Sequence, residues 1–279
     1  MTNSPRNDVA KRDIYEGLND HTMVTDKEMF PYVVAVLKMA SYLSAGAMIS
    51  DSWILTAADA LYLVRETIRE LRVRIGSVNY KKHGSVLPVK YFRIHPYFDD
   101  SGPSYDLALV RLAEPAPLSP NVYPIRLRRT MRELTATHFI VTAWPPRSKA
   151  QSSKSIKYNS LESIQRNRLL TVRQMHPMDP EDCRKQQEKL DIMDNGTLLC
   201  LDSSLGSDPC AREAGAPVVL NGVLWGIVSS WRPEDCKLKS GPSFVNLVAS
   251  PNVSSWIDAV ERDLHWRLQR VNTDEDNYV

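Results

Sequence analysis

The feature that most constrains the fold is a series of short apolar runs, rich in β-branched residues and separated by glycine, proline and aspartate. A first set lies at residues 32–37, 47–49, 53–56, 71–75, 86–94 and 107–112, and a second at 138–144, 168–172, 197–201, 217–220, 224–228 and 243–247. Many short strands with turn residues between them are typical of antiparallel barrels and sandwiches. Trp256, Ile257, Val260 and Leu264 recur at helical spacing and predict one amphipathic helix after the strands. The pattern therefore predicts an all-β chain of two β units, each of about 100 residues, closed by a helix.

Composition and motif searches exclude several functional classes. An apolar content of 43% is too high for a disordered chain, and a net charge of +2 predicts no polyanionic partner by itself. The longest weakly charged stretch, residues 32–64, is interrupted by Lys38, Asp51 and Asp59, so no membrane-spanning helix is expected. The chain lacks the glycine-rich phosphate loops, the zinc-protease motif and the G-x-S-x-G serine motif. We therefore predict no cofactor, no metal, no nucleic acid and no membrane partner.

The cysteines and two glycosylation sequons favour an oxidising compartment. The four cysteines all lie in the second half, and by count alone they allow three pairings. Asn195 and Asn252 each begin an N-x-S/T sequon and are candidate glycosylation sites. The first residues contain no apolar leader, so secretion requires a leader that the printed sequence does not include. The expected location is extracellular.

Five segments, in order along the chain, resemble motifs of the chymotrypsin/trypsin-like serine proteases. They are SAGAMISDSWILTAADA at 44–60, HPY at 95–97, YDLALVRL at 105–112, DPCAREAGAPV at 208–218 and GIVSSW at 226–231. The resemblance implies two packed six-stranded antiparallel β-barrels with a C-terminal helix. It divides the chain into a polar arm at 1–30, a protease-like domain at 31–265 and an acidic tail at 269–279. Within the domain it places the barrels at about 31–128 and 134–250 and the helix at about 254–268.

The catalytic positions of the family are altered in this chain. In the family a serine attacks the peptide carbonyl, a histidine takes its proton, and an aspartate orients the histidine. The aspartate corresponds to Asp106, but Asp59 stands at the histidine position and Ala214 at the serine position. Losing either serine or histidine costs on the order of a million-fold in turnover in a related triad enzyme. The resemblance therefore implies a protease homologue without catalysis by the family mechanism, an expectation strengthened by Arg212 at a glycine position of the oxyanion hole.

The resemblance also assigns the specificity pocket and the disulfides. Asp208 corresponds to the carboxylate that binds Lys or Arg side chains in trypsin-like members, and Arg232 is expected to reach toward it and fill the pocket. The remaining pocket positions are Ser230, Trp231 and Ser243. The implied disulfides are Cys183–Cys200 and Cys210–Cys236, while two other family bridges have lost both partners, at Ser44 with Ala60 and at Phe139 with Leu220.

Glu213 corresponds to the acidic residue that receives the new N-terminal amine when a family member is activated by cleavage. The nearest match to a cleavage site, around Arg12, has an additional residue before its isoleucine, so activation by cleavage is not expected.

The expected function is that of a pseudoprotease that binds a protein such as an active protease, a zymogen or an inhibitor. Two alternatives remain at the level of sequence. Asp59 and Asp106, or a serine such as Ser207 or Ser230, could support rearranged chemistry, although two carboxylates left in a degenerate cleft are the favoured interpretation. Residues 128–173 contain ten basic residues against two glutamates and could bind an acidic polysaccharide, although a solvated surface is the more common role of such a run.

Overall fold

The computed structural model describes residues 22–131, 137–145, 168–194, 196–202, 213–232 and 241–263. Fourteen strands lie in these residues, in the order β1 Thr22–Met23, β2 Val33–Lys38, β3 Ser41–Met48, β4 Trp53–Thr56, β5 Leu71–Ile75, β6 Ser85–Ile94, β7 Ala108–Leu112, β8 Arg126–Leu127, β9 Phe139–Ala143, β10 Thr171–Met175, β11 Leu198–Leu201, β12 Pro217–Leu220, β13 Val223–Val228 and β14 Ser243–Leu247. The helices are α1 Asp59–Tyr62, α2 Pro180–Lys189 and α3 Pro251–Glu261, and 3₁₀ turns occur at Lys27–Met29 and Arg65–Glu70. No helix among the described residues is long and apolar enough to cross a membrane.

Strands β2 to β7 form a closed antiparallel barrel in the order β2-β3-β4-β7-β6-β5. The strand β5 illustrates how the side chains are sorted between the inside and the outside of this barrel. Leu71, Val73 and Ile75 are buried, while Arg72 and Arg74 between them face outward. The barrel also has an apolar core of its own, because one cluster of buried side chains consists entirely of residues within 34–122. The predicted first barrel is thereby confirmed.

The second half is one sheet in the order β1-β10-β9-β12-β13-β14-β11, with β8 added in parallel to β13. Strands β10 and β11, the outer two of the six predicted strands, are joined by backbone hydrogen bonds. The N–H of Asp202 donates to the carbonyl of His176 at 2.9 Å, and the N–H of Met178 donates to the carbonyl of Cys200 at 3.0 Å. The sheet therefore closes around the six predicted strands, and β1 and β8 are additions that the sequence pattern did not show. The double-barrel fold is confirmed.

One large apolar cluster joins the two halves. It includes Ala35 and Leu55 of the first barrel together with Val218, Ile227 and Trp256 of the second half and its terminal helix. The two halves therefore pack as a single unit with a cleft between them.

Residues 22–30, assigned above to the N-terminal arm, are part of this packing. The strand β1 pairs with β10, and Val24 and Phe30 are buried. Lys27 is also buried, and its ammonium donates to the carbonyls of Phe30 and Val33.

All three helices of the described residues differ from the sequence prediction, since α1 and α2 were not predicted. The terminal helix α3 begins at Pro251 rather than at about 254, because proline suits the first turn of a helix, and it ends at Glu261 rather than at about 268. The helix α2 was not predicted, since most of its side chains are charged and it has no apolar stripe. Its start signal is nevertheless present: the Asp179 carboxylate accepts from the Glu181 N–H, and Pro180 follows the cap.

Candidate functional site

Asp106 is completely buried between the two halves and accepts hydrogen bonds from both. One carboxylate oxygen accepts from the backbone N–H of Asp59 at 2.8 Å. The other accepts from the Ser229 hydroxyl at 2.7 Å and from the Ser230 N–H at 2.8 Å. Asp106 precedes β7 of the first barrel, whereas Ser229 and Ser230 follow β13, so this carboxylate links the walls of the cleft.

The Ser230 hydroxyl lies between two carboxylates. Its Oγ is 2.9 Å from Oδ2 of Asp59 and 3.0 Å from Oδ2 of Asp106. A hydroxyl has a single proton to donate, so both contacts are hydrogen bonds only when one carboxyl is protonated and donates to Ser230. Burial raises the pKa of Asp106, the hydrogen bonds from Asp59, Ser229 and Ser230 oppose this rise, and the Asp59 charge adds to it. When both carboxyls are ionised, the Ser230 hydroxyl can therefore donate to only one of them at a time.

This arrangement is a poor metal site. Both carboxylate oxygens of Asp106 accept hydrogen bonds from N–H and O–H donors, so few of their lone pairs are left to coordinate a cation. Among the described residues, no group of three or more histidine, cysteine or acidic side chains is placed to hold a metal. The paired carboxylates are explained by hydrogen bonding to the protein.

The segment that holds Ala214 lies against the first barrel. The carbonyl of Ala214 accepts from the N–H of Ala45 in β3 at 2.9 Å, and the Gly215 N–H donates to Val228 at 2.9 Å. Gly215 has a positive φ of 73°, and a Cβ placed on it would lie 2.1 Å from the carbonyl oxygen of Ala45. A glycine is required at this close approach, while the side chain at position 214 is a methyl.

Glu213 forms a buried ion pair with an arginine of the chain itself. Its carboxylate lies 2.9 Å from Nε of Arg173 in β10, and the two side chains are only 8% and 12% exposed. Burial, followed by the Glu213 charge, raises the pKa of the nearby Tyr42. No sequence pattern pairs Arg173 with Glu213, because Arg173 lies on β10, Glu213 lies outside the strands before β12, and the two are far apart in the chain.

A cleft of about 500 Å³ lies beside the two aspartates. It is lined by Asp59, Phe98, Asp100, Ser101, Gly102, Ser230, Trp231 and Arg232. The indole N–H of Trp231 donates to the carbonyl of Ser101 at 2.9 Å and so connects the two walls. The structure therefore brings Asp59, Ser230, Trp231 and Arg232 together at one cleft.

Sequence reasoning missed the wall formed by residues 98–102 and the role of Ser229. The Asp-Asp-Ser-Gly turn at 99–102 was a visible signal for a loop, but nothing in it indicated which surface it would face.

Several predicted residues lie outside the described part of the chain. They are Asp208, Arg212, Cys210, Cys236 and Asn195, so the Arg232–Asp208 contact and the second disulfide stay predictions. The other disulfide is confirmed, since Cys183 and Cys200 are joined at an S–S distance of 2.04 Å.

Ser243 and Asn252 are both described. Ser243 is buried at the start of β14. The side-chain nitrogen of Asn252, where a glycan would attach, instead donates to the Tyr105 hydroxyl at 3.2 Å in the first turn of α3. A glycan there would have to displace that contact.

The paired loss of a family disulfide at Phe139 and Leu220 agrees with the strand register. Val218 lies opposite Val141 and Val219 opposite Ile140 in the β12–β9 ladder. The next pair in this register is Leu220 with Phe139, so two cysteines at these positions would face each other.

Comparison with known proteins gives one consistent result. Residues 21–257 match the family model described as Trypsin. The chain is 27% identical over 241 residues to a trypsin of Sarcophaga bullata, covering 86% of this chain and 87% of that protein. It is 26% identical over 243 residues to kallikrein-1 of Mus musculus, covering 83% of this chain and 85% of the relative.

Solved structures show the same fold at 21% identity. Neuropsin, a serine protease expressed in the limbic system of mouse brain, matches with a TM-score of 0.64 over 86% of this chain and 98% of its own. An inactivated protease paralogue of the scabies mite matches with a TM-score of 0.67 over 86% of this chain and 99% of its own.

Proposed function

The chain belongs to the trypsin family, and from that membership we propose that it is a catalytically inactive serine protease homologue that acts by binding other proteins. Its partner would be an active protease, a zymogen or an inhibitor in an extracellular proteolytic system. The Cys183–Cys200 disulfide supports the extracellular assignment, because such bonds persist in oxidising compartments.

One observation carries the proposal: the positions of the nucleophile and the base hold a methyl and a carboxylate. The methyl of Ala214 cannot attack a peptide carbonyl. The Asp59 carboxylate contacts Ser230, and its backbone N–H, rather than a side chain, meets Asp106. Position 59 therefore lacks the imidazole that would accept a proton from an attacking hydroxyl near neutral pH.

Rearranged chemistry on Ser230 is the competing enzymatic hypothesis. Ser230 lines the cleft and its hydroxyl lies 2.9 Å from Asp59, which is within reach of a base. However, the same hydroxyl contacts the buried Asp106, and a carboxylate is far less basic than the alkoxide it would have to generate. We therefore favour a structural role for Ser230.

The fold supports a binding role because its cleft is present even though the catalytic serine and histidine are replaced. The scabies mite structure is described as that of an inactivated protease paralogue, so this architecture is compatible with loss of activity. In the present chain the cleft of about 500 Å³ keeps an aromatic wall, Trp231 and Phe98, beside charged groups of both signs. Aromatic side chains and arginine are enriched in protein interfaces, and this cleft holds Trp231, Phe98 and Arg232.

The test is a labelling and hydrolysis experiment on the purified chain. A fluorophosphonate probe and a panel of Arg and Lys esters are applied with and without prior trypsin treatment, and active trypsin serves as the positive control. We expect no labelling and no turnover. Labelling that persists in a contaminant-free sample would refute the proposal, and loss of that label in Ser230→Ala or Ser207→Ala would identify the nucleophile.

The polyanion alternative, based on residues 128–173, receives less support from the basic residues that the structure describes. Arg128 stacks on the Trp225 ring with its guanidinium 3.3 Å from the ring centre. Arg129 pairs with Asp258, and Arg173 pairs with Glu213. Of the four described, Arg168 alone lines an open cavity, and its polar neighbours there, Asn79, Lys82 and His83, come from another part of the chain.

A further inference from the structure

The hairpin of β5 and β6, residues 71–94, carries a strongly one-sided charge. It contains six lysines and arginines and no aspartate or glutamate: Arg72, Arg74, Lys81, Lys82, Lys90 and Arg93. Among the described residues, none of these six side chains forms an ion pair. Within the part of the chain that the structure describes, this basic hairpin is therefore a region of positive potential that no ion pair neutralises.

The tip of the basic hairpin is held rigidly by its own hydrogen bonds. The Ser77 hydroxyl donates to the carbonyl of Lys82 at 2.6 Å, and the Lys81 N–H donates to the Asn79 side chain at 2.9 Å. The Arg74 guanidinium binds the carbonyls of Tyr80, at 2.9 Å, and His83. The tip thus needs little reordering to bind a ligand.

The same tip is fastened to the second half of the molecule. The N–H of Leu170 donates to the carbonyl of Val78 at 2.7 Å, and the N–H of Tyr80 donates to that of Arg168 at 3.2 Å. The Trp144 indole N–H also donates to Val78, at 2.9 Å. These contacts place a cation of the second half, Arg168, beside the cations of the hairpin.

A cavity of about 300 Å³ opens at this junction. Its lining is Asn79, Lys82, His83, Arg168 and Leu169. Lys82 and His83 are exposed, Arg168 is half-buried, and Leu169 supplies the single apolar side chain of this lining. Ammonium, guanidinium and amide donors around one small cavity suit an oxyanion such as a sulfate or a carboxylate.

The cations continue from the cavity along the outer face of the hairpin. Arg74 and Arg72 alternate with buried residues of β5, so they lie roughly 7 Å apart on one face. Lys90 is exposed on β6, two residues beyond Pro88, which pairs with Arg72. A linear ligand with repeated negative charges matches this track better than a single small anion does.

We propose that the cavity at Lys82 and Arg168, continued by the outer face of the basic hairpin, binds a sulfated polysaccharide chain. A protein partner is less suited, because protein interfaces depend on apolar or aromatic anchors near their centre, and this cavity has only Leu169. The proposal is independent of catalysis, since the cavity shares no lining residue with the cleft at Asp59.

The test uses the full chain and a fluorescent heparin-derived octasaccharide, with binding measured by anisotropy at 50 and 200 mM NaCl. The double variant Lys82→Ser/Arg168→Ser removes the ammonium and the guanidinium that line the cavity, and we expect it to weaken binding about tenfold at the lower salt. The matched control Arg184→Ser/Lys185→Ser removes two exposed cations of α2, and it should change binding less than about twofold. Wild-type binding should also weaken as salt rises.

Two results would overturn the proposal. The first is equal binding by the wild type and both double variants, or equal loss in both variants, because either would remove the site from this cavity. The second is tighter binding of a glutamate-rich octapeptide than of the octasaccharide, lost in Lys82→Ser/Arg168→Ser, which would assign the site to acidic polypeptides. Near-ultraviolet circular dichroism of each variant verifies that the comparison concerns folded protein.

Discussion

The first barrel and the second half of this molecule are completed by different means. The first closes through regular strand pairing and contains a core cluster made only of its own residues. The second closes through backbone contacts after β10 and β11, and the core of its main sheet is shared with the first barrel. Its small separate cluster surrounds the Cys183–Cys200 disulfide. The difference indicates that the second half depends on the first, and on a covalent bond, for its stability.

The link at Asp106 is where breaking this dependence should have the largest effect. The variant Asp106→Ala leaves the Asp59 N–H, the Ser229 hydroxyl and the Ser230 N–H without their acceptor in the interior. At roughly 1–3 kcal/mol for each unsatisfied buried donor, with partial compensation by water, we expect a loss of about 4 kcal/mol in the free energy of unfolding. Urea denaturation measures it.

The control for this prediction is Asp51→Ala, which removes an exposed aspartate that accepts from Ser52 within the first barrel. Its cost should stay below about 1 kcal/mol. A similar cost for both variants would mean that the contact between the halves is not a main source of stability.

The disulfide within the second half offers a second test of the difference between the two halves. Cysteine 183 lies on α2 and Cys200 on β11, and the bond closes a loop with a sequence separation of 17 residues. The variant Cys183→Ser/Cys200→Ser should lose about 3 kcal/mol of stability, because the unfolded chain regains the conformations that the closed loop excludes.

Hydrogen exchange locates the effect of that variant. Amide protection should fall in β11 and β14 and stay nearly unchanged in β2 to β7. An equal loss of protection in the first barrel would show that the two halves unfold as one unit and that the comparison between them does not extend to stability.

Lys27 gives the smallest and most specific test, because it lies where the chain passes from β1 of the second sheet to β2 of the first barrel. Burial lowers the pKa of Lys27 to about 7, whereas the unfolded chain keeps the ordinary value of 10.5. Between these values the unfolded state binds more protons, so stability rises with pH. We expect a gain of about 1 kcal/mol from pH 7 to pH 8, and loss of that gain in Lys27→Met.

The readout for Lys27 is the pH slope rather than absolute stability, since Lys27→Met also leaves two carbonyls without their donor. An unchanged slope in the variant would assign the pH dependence to another group.

The sequence pattern was sufficient for the elements that repeat at short range. The alternation of Leu71, Val73 and Ile75 predicted a strand with one buried face, and the structure has it. The ordered motifs implied the double barrel, which the structure has, and in the structure the Asp59 N–H donates to the Asp106 carboxylate.

Contacts between distant positions were beyond such reasoning. The Arg173–Glu213 ion pair lies within the second half, and the contacts of Ser230 with Asp59 and Asp106 join the two halves. Both depend on which distant side chains meet in the fold, and no local period records that. The helix α2 was missed for a different reason: it is stabilised by its cap and by i,i+4 pairs such as Arg184–Glu188, rather than by an apolar face.

The close approach at Gly215 has a consequence for how a protein of this kind can change. Positions 214 and 215 are neighbours, yet they obey different constraints. The backbone carbonyl of Ala214 bonds to Ala45 whatever its side chain, so a hydroxyl there can be erased without disturbing the architecture. At Gly215 a single added carbon would meet the backbone of the opposite barrel. The side chain at position 214 can therefore change, and catalysis can be lost with it, while the packing of the two barrels still requires glycine at position 215.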